Sequence, residues 1–257
     1  MPPAARFFDD PRYLRTIVAE KPPAGSSTEA QAAASLAGCA PGALILDAAC
    51  GNGRHAVPLA LTGYRVVALD RSGPLLAAAR DSAGHASCHA RPRRASWLRF
   101  MRASYTRLPV ESGVFDAVLC LGTALGYLGK AGDEVALREF RRVLAPGGRV
   151  VIETLHRGAI GDGLSEHEER PLASGATLCF DRSFDRSRSV MHESQRLVEG
   201  QIEGAARSYE LRAYGADELT AMVERAGFTV IGRHASLAGE GEPSPATPLV
   251  LVGQVND

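Results

Sequence analysis

Leu44-Ile45-Leu46-Asp47-Ala48-Ala49-Cys50-Gly51-Asn52-Gly53-Arg54-His55-Ala56 is the stretch whose reading decides the fold. An apolar run with β character ends in an acid, crosses two glycines one residue apart and enters a helix-like segment. A buried strand, a tight turn and a helix N-terminus read this way. Gly51 and Gly53 carry no Cβ, so the backbone there can come close to a ligand. The first N–H groups of the following helix lack partners and favour an anionic group such as a carboxylate. The stretch predicts a loop that binds a small-molecule cofactor.

Two cofactor classes fit such a loop. Gly51 to Ala56 satisfies G-x-G-x-x-[GA], the dinucleotide fingerprint, which alone is a weak signal. A second strand, 65–69, leads to Asp70, an acid able to take both hydroxyls of a ribose in either class. Asp47 discriminates better: an acid ending the first strand sits badly beside a pyrophosphate but well beside an ammonium or sulfonium. Downstream, Leu108-Pro109 precedes Phe115-Asp116-Ala117-Val118-Leu119-Cys120-Leu121, and Arg141-Arg142-Val143-Leu144-Ala145-Pro146-Gly147-Gly148 leads into Arg149-Val150-Val151-Ile152. In that last segment a helix ends, Pro146 forbids its continuation, and the glycines supply the turn into another strand. These motifs, spread in order over roughly residues 44 to 155, resemble those of class I S-adenosylmethionine-dependent methyltransferases of the small-molecule type.

The resemblance implies an α/β fold, a doubly wound, mostly parallel seven-stranded sheet. An N-terminal helical cap (1–43) is expected before the cofactor-binding core (44–160), and an inserted antiparallel β lid (161–214) before the C-terminal part of the core sheet (215–257). The residue patterns carry the details. Residues 9–20 look helical, 21–27 read as a loop, and Ser27 or Thr28 caps a helix reaching Gly38. Helices are expected at 53–62, 73–83, 132–144 and 216–225, with 84–95 as an irregular connection. Core strands are expected at 97–102, 115–121, 149–154, 228–232 and 248–255. Alternating stretches at 176–185, 189–197 and 206–214, with polar turns between, predict the lid strands.

Composition limits the partners. The 29 basic and 29 acidic residues cancel, whereas a phosphate-tracking protein shows a broad positive excess; Arg91 to Arg94 is a local exception that reads as a solvated loop. A small-molecule substrate is expected, with no nucleic acid and no membrane. No apolar run approaches a membrane span and the N-terminus does not read as a signal peptide, which predicts a cytoplasmic protein. Five scattered cysteines read as reduced thiols, and His85-x-x-Cys88-His89 lacks a second pair of ligands, so no metal is expected. Only Lys21 and Lys130 are lysine among the basic residues, which with abundant Ala and Gly suggests a GC-rich bacterial genome.

The resemblance then implies roles residue by residue. Asp47, the Ala49-Cys50-Gly51 turn and Gly53 shape the cofactor loop, Asp70 takes the ribose, and Arg71 stacks on adenine or faces solvent. Arg54, at the helix N-terminus, could grip the methionine carboxylate. The family usually has an acid four residues before Leu-Pro. Here Ala103-Ser104-Tyr105 stands in its place, making Ser104 and the Tyr105 backbone the candidates for the adenine amino group. An aromatic-acid-x-x-Tyr-Leu pattern, matched by Phe8, Asp9, Tyr13 and Leu14, implies that Tyr13 covers the methionine moiety. Leu121 offers a backbone carbonyl, and Gly122 replaces a usual aromatic, which is expected to widen the pocket near the transferred methyl group.

Thr123, Tyr209, Arg212 and Tyr214 are candidates for substrate contact, and His156, Tyr127 and His192 for catalysis; each has packing or solvent exposure as its plain alternative. Methyl transfer to oxygen or nitrogen of a small molecule, in bacterial secondary metabolism, is the leading expectation. A protein or RNA methyltransferase, a cofactor-binding module without transfer, and a dehydrogenase are the alternatives.

Overall fold

The computed structural model describes residues 7–10, 23–89 and 97–256. Tyr13, the helix expected at 9–20 beyond Asp10, and Arg91 to Arg94 lie outside the described residues. Helix α1 (Pro23–Leu36) and the residue after it bury Ala30, Ala33, Ala34 and Ala37, an i, i+3, i+4, i+7 stripe of small side chains. It begins earlier than the expected Ser27 cap, with Pro23 in its first turn, where the missing N–H costs nothing.

The core then alternates β1 (Leu44–Ala48), α2 (Ala56–Leu61), β2 (Arg65–Asp70), α3 (Gly73–His89), β3 (Leu98–Arg102), β4 (Phe115–Cys120), α4 (Gly129–Val143) and β5 (Leu144–Leu155). α3 runs through Gly84 to His89, six residues past its expected end at 83; one glycine did not stop a segment otherwise rich in alanine. β5 starts directly after α4. The Pro146-Gly147-Gly148 turn is an irregularity inside it: Leu144 pairs with Phe115, but the next paired residue is Arg149, opposite Ala117. α4 buries Asp133, Ala136, Leu137, Phe140 and Val143, one face at helical spacing.

After β5 come α5 (Arg157–Gly163), β6 (His167–Pro171), β7 (Thr177–Asp185), β8 (Val190–Glu199), β9 (Ile202–Glu203), β10 (Arg207–Arg212), α6 (Ala216–Arg225), β11 (Thr229–His234) and β12 (Pro248–Gln254). Seven strands form the main sheet in the order β11-β12-β5-β4-β1-β2-β3. β5, β4, β1, β2 and β3 are parallel, and β12 and β11 close the edge antiparallel. Ile45, Leu46, Val118 and Leu119 are wholly buried, as strands covered on both faces require.

The expected lid strands form a second, antiparallel sheet, order β10-β8-β7-β6 with β9 on β8; β6, β9 and α5 were not anticipated. The second sheet is anchored where β10 returns to the core: Arg212 N–H donates to Gly126 O at 3.1 Å and Arg157 N–H to Tyr214 O at 2.9 Å. Among the described residues no helix is long and apolar enough to cross a membrane.

Candidate active site

The main sheet reverses its winding between β1 and β4, and the loops leaving their carboxyl ends diverge there, the place where open α/β sheets bind ligands. A cavity of about 550 Å³ opens at this point and extends beneath the second sheet. Ala49, Cys50, Gly51 and Asn52 line it from β1, Asp70 and Arg71 from β2, Ser104 and Tyr105 from beyond β3, and Leu121, Gly122 and Thr123 from beyond β4.

The turn after β1 is held by backbone bonds. Cys50 N–H donates to Leu69 O at 2.9 Å, and Gly51 N–H donates to Asp70 Oδ2 at 2.9 Å, while Ser72 N–H donates to Asp70 Oδ1 at 2.8 Å. Asp70 thus fixes the turn while facing the cavity, and burial raises its pKa against those two bonds. Gly51 has φ +56° and nothing within 4 Å of where a Cβ would stand, so the backbone is bared to the cavity. Gly53, also expected at the cofactor, does not line the cavity: a Cβ there would sit 3.0 Å from Ala79 Cβ, so its lack of a side chain serves the packing of α3. Ala49 shares the left-handed region at φ +64°, where a non-glycine residue is strained.

Asp47 lies beneath this turn, 2% exposed and not at the cavity surface, with Oδ2 lacking any hydrogen-bond partner among the described residues. Burial pushes its carboxyl up to about 6, with His55 and Arg54 opposing the rise. Arg54 and His55 line the cavity and are both held by Glu29 of α1, through a short ion pair to Arg54 and a 3.1 Å contact from His55 Nε2. The His55 bond, and Arg54 after it, hold the Glu29 carboxyl down at about 2. Gly122 was expected to widen the pocket; instead, the Arg54 guanidinium comes within 3.0 Å of its missing Cβ and fills that space.

Ser104 Oγ lies 2.7 Å from Thr106 Oγ1, and Tyr105 OH donates to Ala124 O at 3.1 Å, so both line the cavity already engaged with the protein. Thr123 sits in the left-handed region at φ +63°, its N–H donating to Glu153 O at 3.1 Å. On the far side Phe7, Phe8, Tyr127 and Tyr209 form a cluster of rings, with Phe8 and Tyr127 edge-on at 4.9 Å. Ser72 Oγ donates to Phe8 O at 3.0 Å, tying residues 7–10 to the end of β2.

Four expected residues stand elsewhere. His192 is on the outer face of β8, paired with Glu210 at 3.4 Å, because strand alternation turns Glu193 inward and its neighbour outward. His156 caps α5, its Nδ1 accepting from Gly158 N–H at 3.1 Å, and burial lowers its pKa. Arg212 donates to Arg188 O and Glu218, and Tyr214, wholly buried, donates to Asp133. These last two pin β10 and α6 to the core and do not line the cavity.

The cavity also contains side chains the sequence reading passed over: Arg170, Phe180, Arg182, Glu193 and Gln195. Their signal was the period of two in β8, where Met191 and Leu197 bracket Glu193 and Gln195 on one face. A polar pair between apolar partners on the buried face marks a lined cavity.

The sequence profile of a family described as "Methyltransferase domain" matches residues 45–148. A "Ubiquinone/menaquinone biosynthesis C-methyltransferase UbiE" from Syntrophotalea carbinolica is 30% identical over 201 residues, 76% of this chain and 72% of that protein. The chain belongs to the class I S-adenosylmethionine-dependent methyltransferases. A "Demethylmenaquinone methyltransferase" from Thermus thermophilus is 41% identical over 110 residues, 42% of this chain; the match spans only 45% of that relative's length. Among solved structures, the CcbJ methyltransferase from Streptomyces caelestis shares the fold, with TM-score 0.76 at 23% identity over 92% of this chain and 91% of that one.

The cofactor of this family is S-adenosylmethionine, and the residues present fit it. The turn offers bare backbone at Gly51, a cavity-facing carboxylate at Asp70 and, beneath it, the buried acid Asp47, whose Oδ2 has no hydrogen-bond partner among the described residues.

Proposed function

We propose that the chain transfers a methyl group from S-adenosylmethionine to a nitrogen or oxygen of a small-molecule acceptor held between the Gly51 turn and the second sheet. The observation that carries this reading is the continuity of the cavity, which joins the cofactor loop to the ring cluster and the underside of the second sheet. In this reading Asp70 holds the ribose hydroxyls, Arg54 the methionine carboxylate, and Asp47 favours the ammonium through the loop. Ser104, Tyr105 and Arg71 border the adenine, and Leu121 offers a carbonyl. Thr123, Tyr127 and Tyr209 meet the acceptor.

The bound cofactor supplies a methyl group already activated by its sulfonium. The task of this chain is to hold the acceptor in line with it and keep water out. The side chains around the acceptor space bear on which atom is methylated. His55 is tied to Glu29, and Glu193 accepts from Arg182, Tyr209 and Gln195, so neither is poised as a base. An acceptor nitrogen, neutral and nucleophilic without deprotonation, suits such a wall best; a hydroxyl acidic in its own right comes second.

Small-molecule tailoring in bacterial secondary metabolism is the setting we infer. The arginine-rich, lysine-poor composition supports a GC-rich bacterial origin, and the names of the two relatives point to quinone acceptors in the wider family. Charge balance and a cavity roofed by a second sheet favour this reading over a protein or RNA substrate. Calorimetry tests the base of the proposal. S-adenosylmethionine and S-adenosylhomocysteine are expected to bind with one site per chain, and NADH not to bind. Uptake of NADH with no affinity for either sulfur compound overturns it.

A further inference from the structure

The β4–β5 ladder stops at Cys120, opposite Ile152. Beyond it the chain turns through two consecutive residues in the left-handed region, Gly122 at φ +65° and Thr123 at φ +63°. Glycine adopts that conformation freely, but a β-branched threonine does so only under constraint. One residue supplies the constraint. Glu153, next along β5, accepts both N–H groups of the turn: its side-chain Oε2 takes Gly122 N–H at 2.8 Å, and its backbone O takes Thr123 N–H at 3.1 Å. The bond from Gly122 is the only one that its carboxylate makes among the described residues, and Glu153 itself does not line the cavity.

Those two bonds also aim the main chain of the turn. In a planar trans peptide the C=O points opposite to the N–H. With Gly122 N–H turned to β5, the Leu121 carbonyl is turned away from β5. The strands run in the order β5-β4-β1, so away from β5 means toward β1 and the Gly51 turn that follows it. Leu121 and Gly122 both line the cavity. The Arg54 guanidinium stands beside them, its Nη2 3.0 Å from the point where a Gly122 Cβ would lie. A carbonyl oxygen next to a guanidinium matches the two charges of a free amino-acid end, ammonium to the first and carboxylate to the second.

We propose that Glu153 is a positioning residue for the cofactor: from outside the cavity it turns the 121–122 peptide so that the Leu121 carbonyl receives the amino-acid ammonium of S-adenosylmethionine next to Arg54. This rests on the methyltransferase reading and adds to it a residue that does not touch the ligand. The carboxylate works here as a hydrogen-bond acceptor and not through its charge, so a neutral acceptor of the same length can replace it.

The test uses the full chain and two ligands, S-adenosylhomocysteine and its desamino analogue, in which hydrogen replaces the amino group. By calorimetry the wild-type chain is expected to bind S-adenosylhomocysteine about tenfold more tightly than the analogue, the worth of one charge-assisted hydrogen bond. In Glu153→Ala that preference falls to about twofold, while affinity for the desamino analogue stays near the wild-type value. In Glu153→Gln, whose amide oxygen can accept from Gly122 N–H, the preference returns to about tenfold. A wild-type chain that binds both ligands equally overturns the proposal before any variant is made. A preference that survives in Glu153→Ala, or equal losses for the two ligands, overturns it as well. So does a Gln variant that loses the preference, because charge and not the bond would then be at work; this arm stands whether or not Glu153→Ala folds. If neither S-adenosylmethionine nor S-adenosylhomocysteine binds the wild-type chain, the methyltransferase reading falls first.

Discussion

The two ends of the cavity are built by opposite means. At the cofactor end, the main chain does most of the work: Gly51 bares its backbone, and Asp70 receives two N–H groups from within two turns of sequence space around β1 and β2. At the acceptor end, side chains from β6, β7, β8 and β10 meet across a sheet, and the backbone contributes only their spacing. A site made of backbone tolerates few residues at each turn. A site made of alternating side chains can change its chemistry one residue at a time without disturbing the ladder that presents them.

The sharpest way to break this contrast is Asp70→Ala. It removes the ribose partner and the acceptor of two loop N–H groups together. Hydrogen bonds to a charged group are worth about 1.5–3 kcal/mol each, so S-adenosylmethionine affinity is expected to fall about a hundredfold. Calorimetry measures this, and circular dichroism checks that the fold remains. An unchanged affinity would show that the turn, and not the carboxylate, carries cofactor binding.

Glu29→Gln sharpens the comparison within the cofactor end. Glu29 belongs to α1 and not to the loop, yet it holds both Arg54 and His55. If Arg54 grips the methionine carboxylate, loosening it weakens S-adenosylhomocysteine binding about tenfold, the scale of one charge-assisted bond. Methylthioadenosine, which lacks the aminocarboxylate, should bind the variant and the wild type alike. Equal losses for both ligands would mean that Glu29 supports the loop in general.

A smaller effect is expected from pH. Asp47 has a pKa of about 6 in the folded chain, above the ordinary 3.8, because burial disfavours its charge. The folded state therefore keeps a proton between these values that the unfolded chain has lost, so Asp47's contribution to stability falls as pH rises through that window. A cationic methionine group above the loop favours the carboxylate, so at pH 6 binding releases about half a proton, and affinity rises about twofold from pH 6 to 7. Titrations in buffers of different ionisation enthalpy count the proton. Asp133, also raised to about 6 by burial, remains in the Asp47→Asn variant, which should nevertheless lose the release. A variant that still releases it assigns the proton elsewhere.

The same contrast governs what could be read from sequence. The mostly parallel sheet and the turn at Gly51 were legible because few residue patterns form a buried strand ending in such a turn. The second sheet was legible as strands, through alternation and the polar turn at Asp185, whose Oδ1 accepts from Ser187 and Arg188 N–H. Its inward face was not. His192 drew the eye as a titratable residue, but the buried polar residues were its neighbours Glu193 and Gln195. Arg212 and Tyr214 misled for a related reason: polar side chains near a site also serve to fasten elements together, and Tyr214 fastens β10 to α4 through Asp133. Neither the Glu29 clamp nor the filling of the Gly122 space by Arg54 has a local signature, since each joins residues far apart in the chain.

The least effect is expected at His156, where the sequence offered a base and the structure offers a cap. Its Nδ1 is occupied by Gly158 N–H at the start of a seven-residue helix, and burial together with Arg157 lowers the pKa of the ring. Alanine there removes one cap, worth about 1 kcal/mol, which for a chain of this size lowers the melting temperature by about 2–4 °C. S-adenosylmethionine affinity, and turnover once an acceptor is in hand, should match the wild type at every pH from 6 to 8. A loss of turnover with an intact melting curve would restore His156 as a base and bring a third element, the end of β5, into the acceptor wall. It would also blunt the contrast drawn here, because the chemistry would then depend on the core sheet as well as on the sheet that covers it.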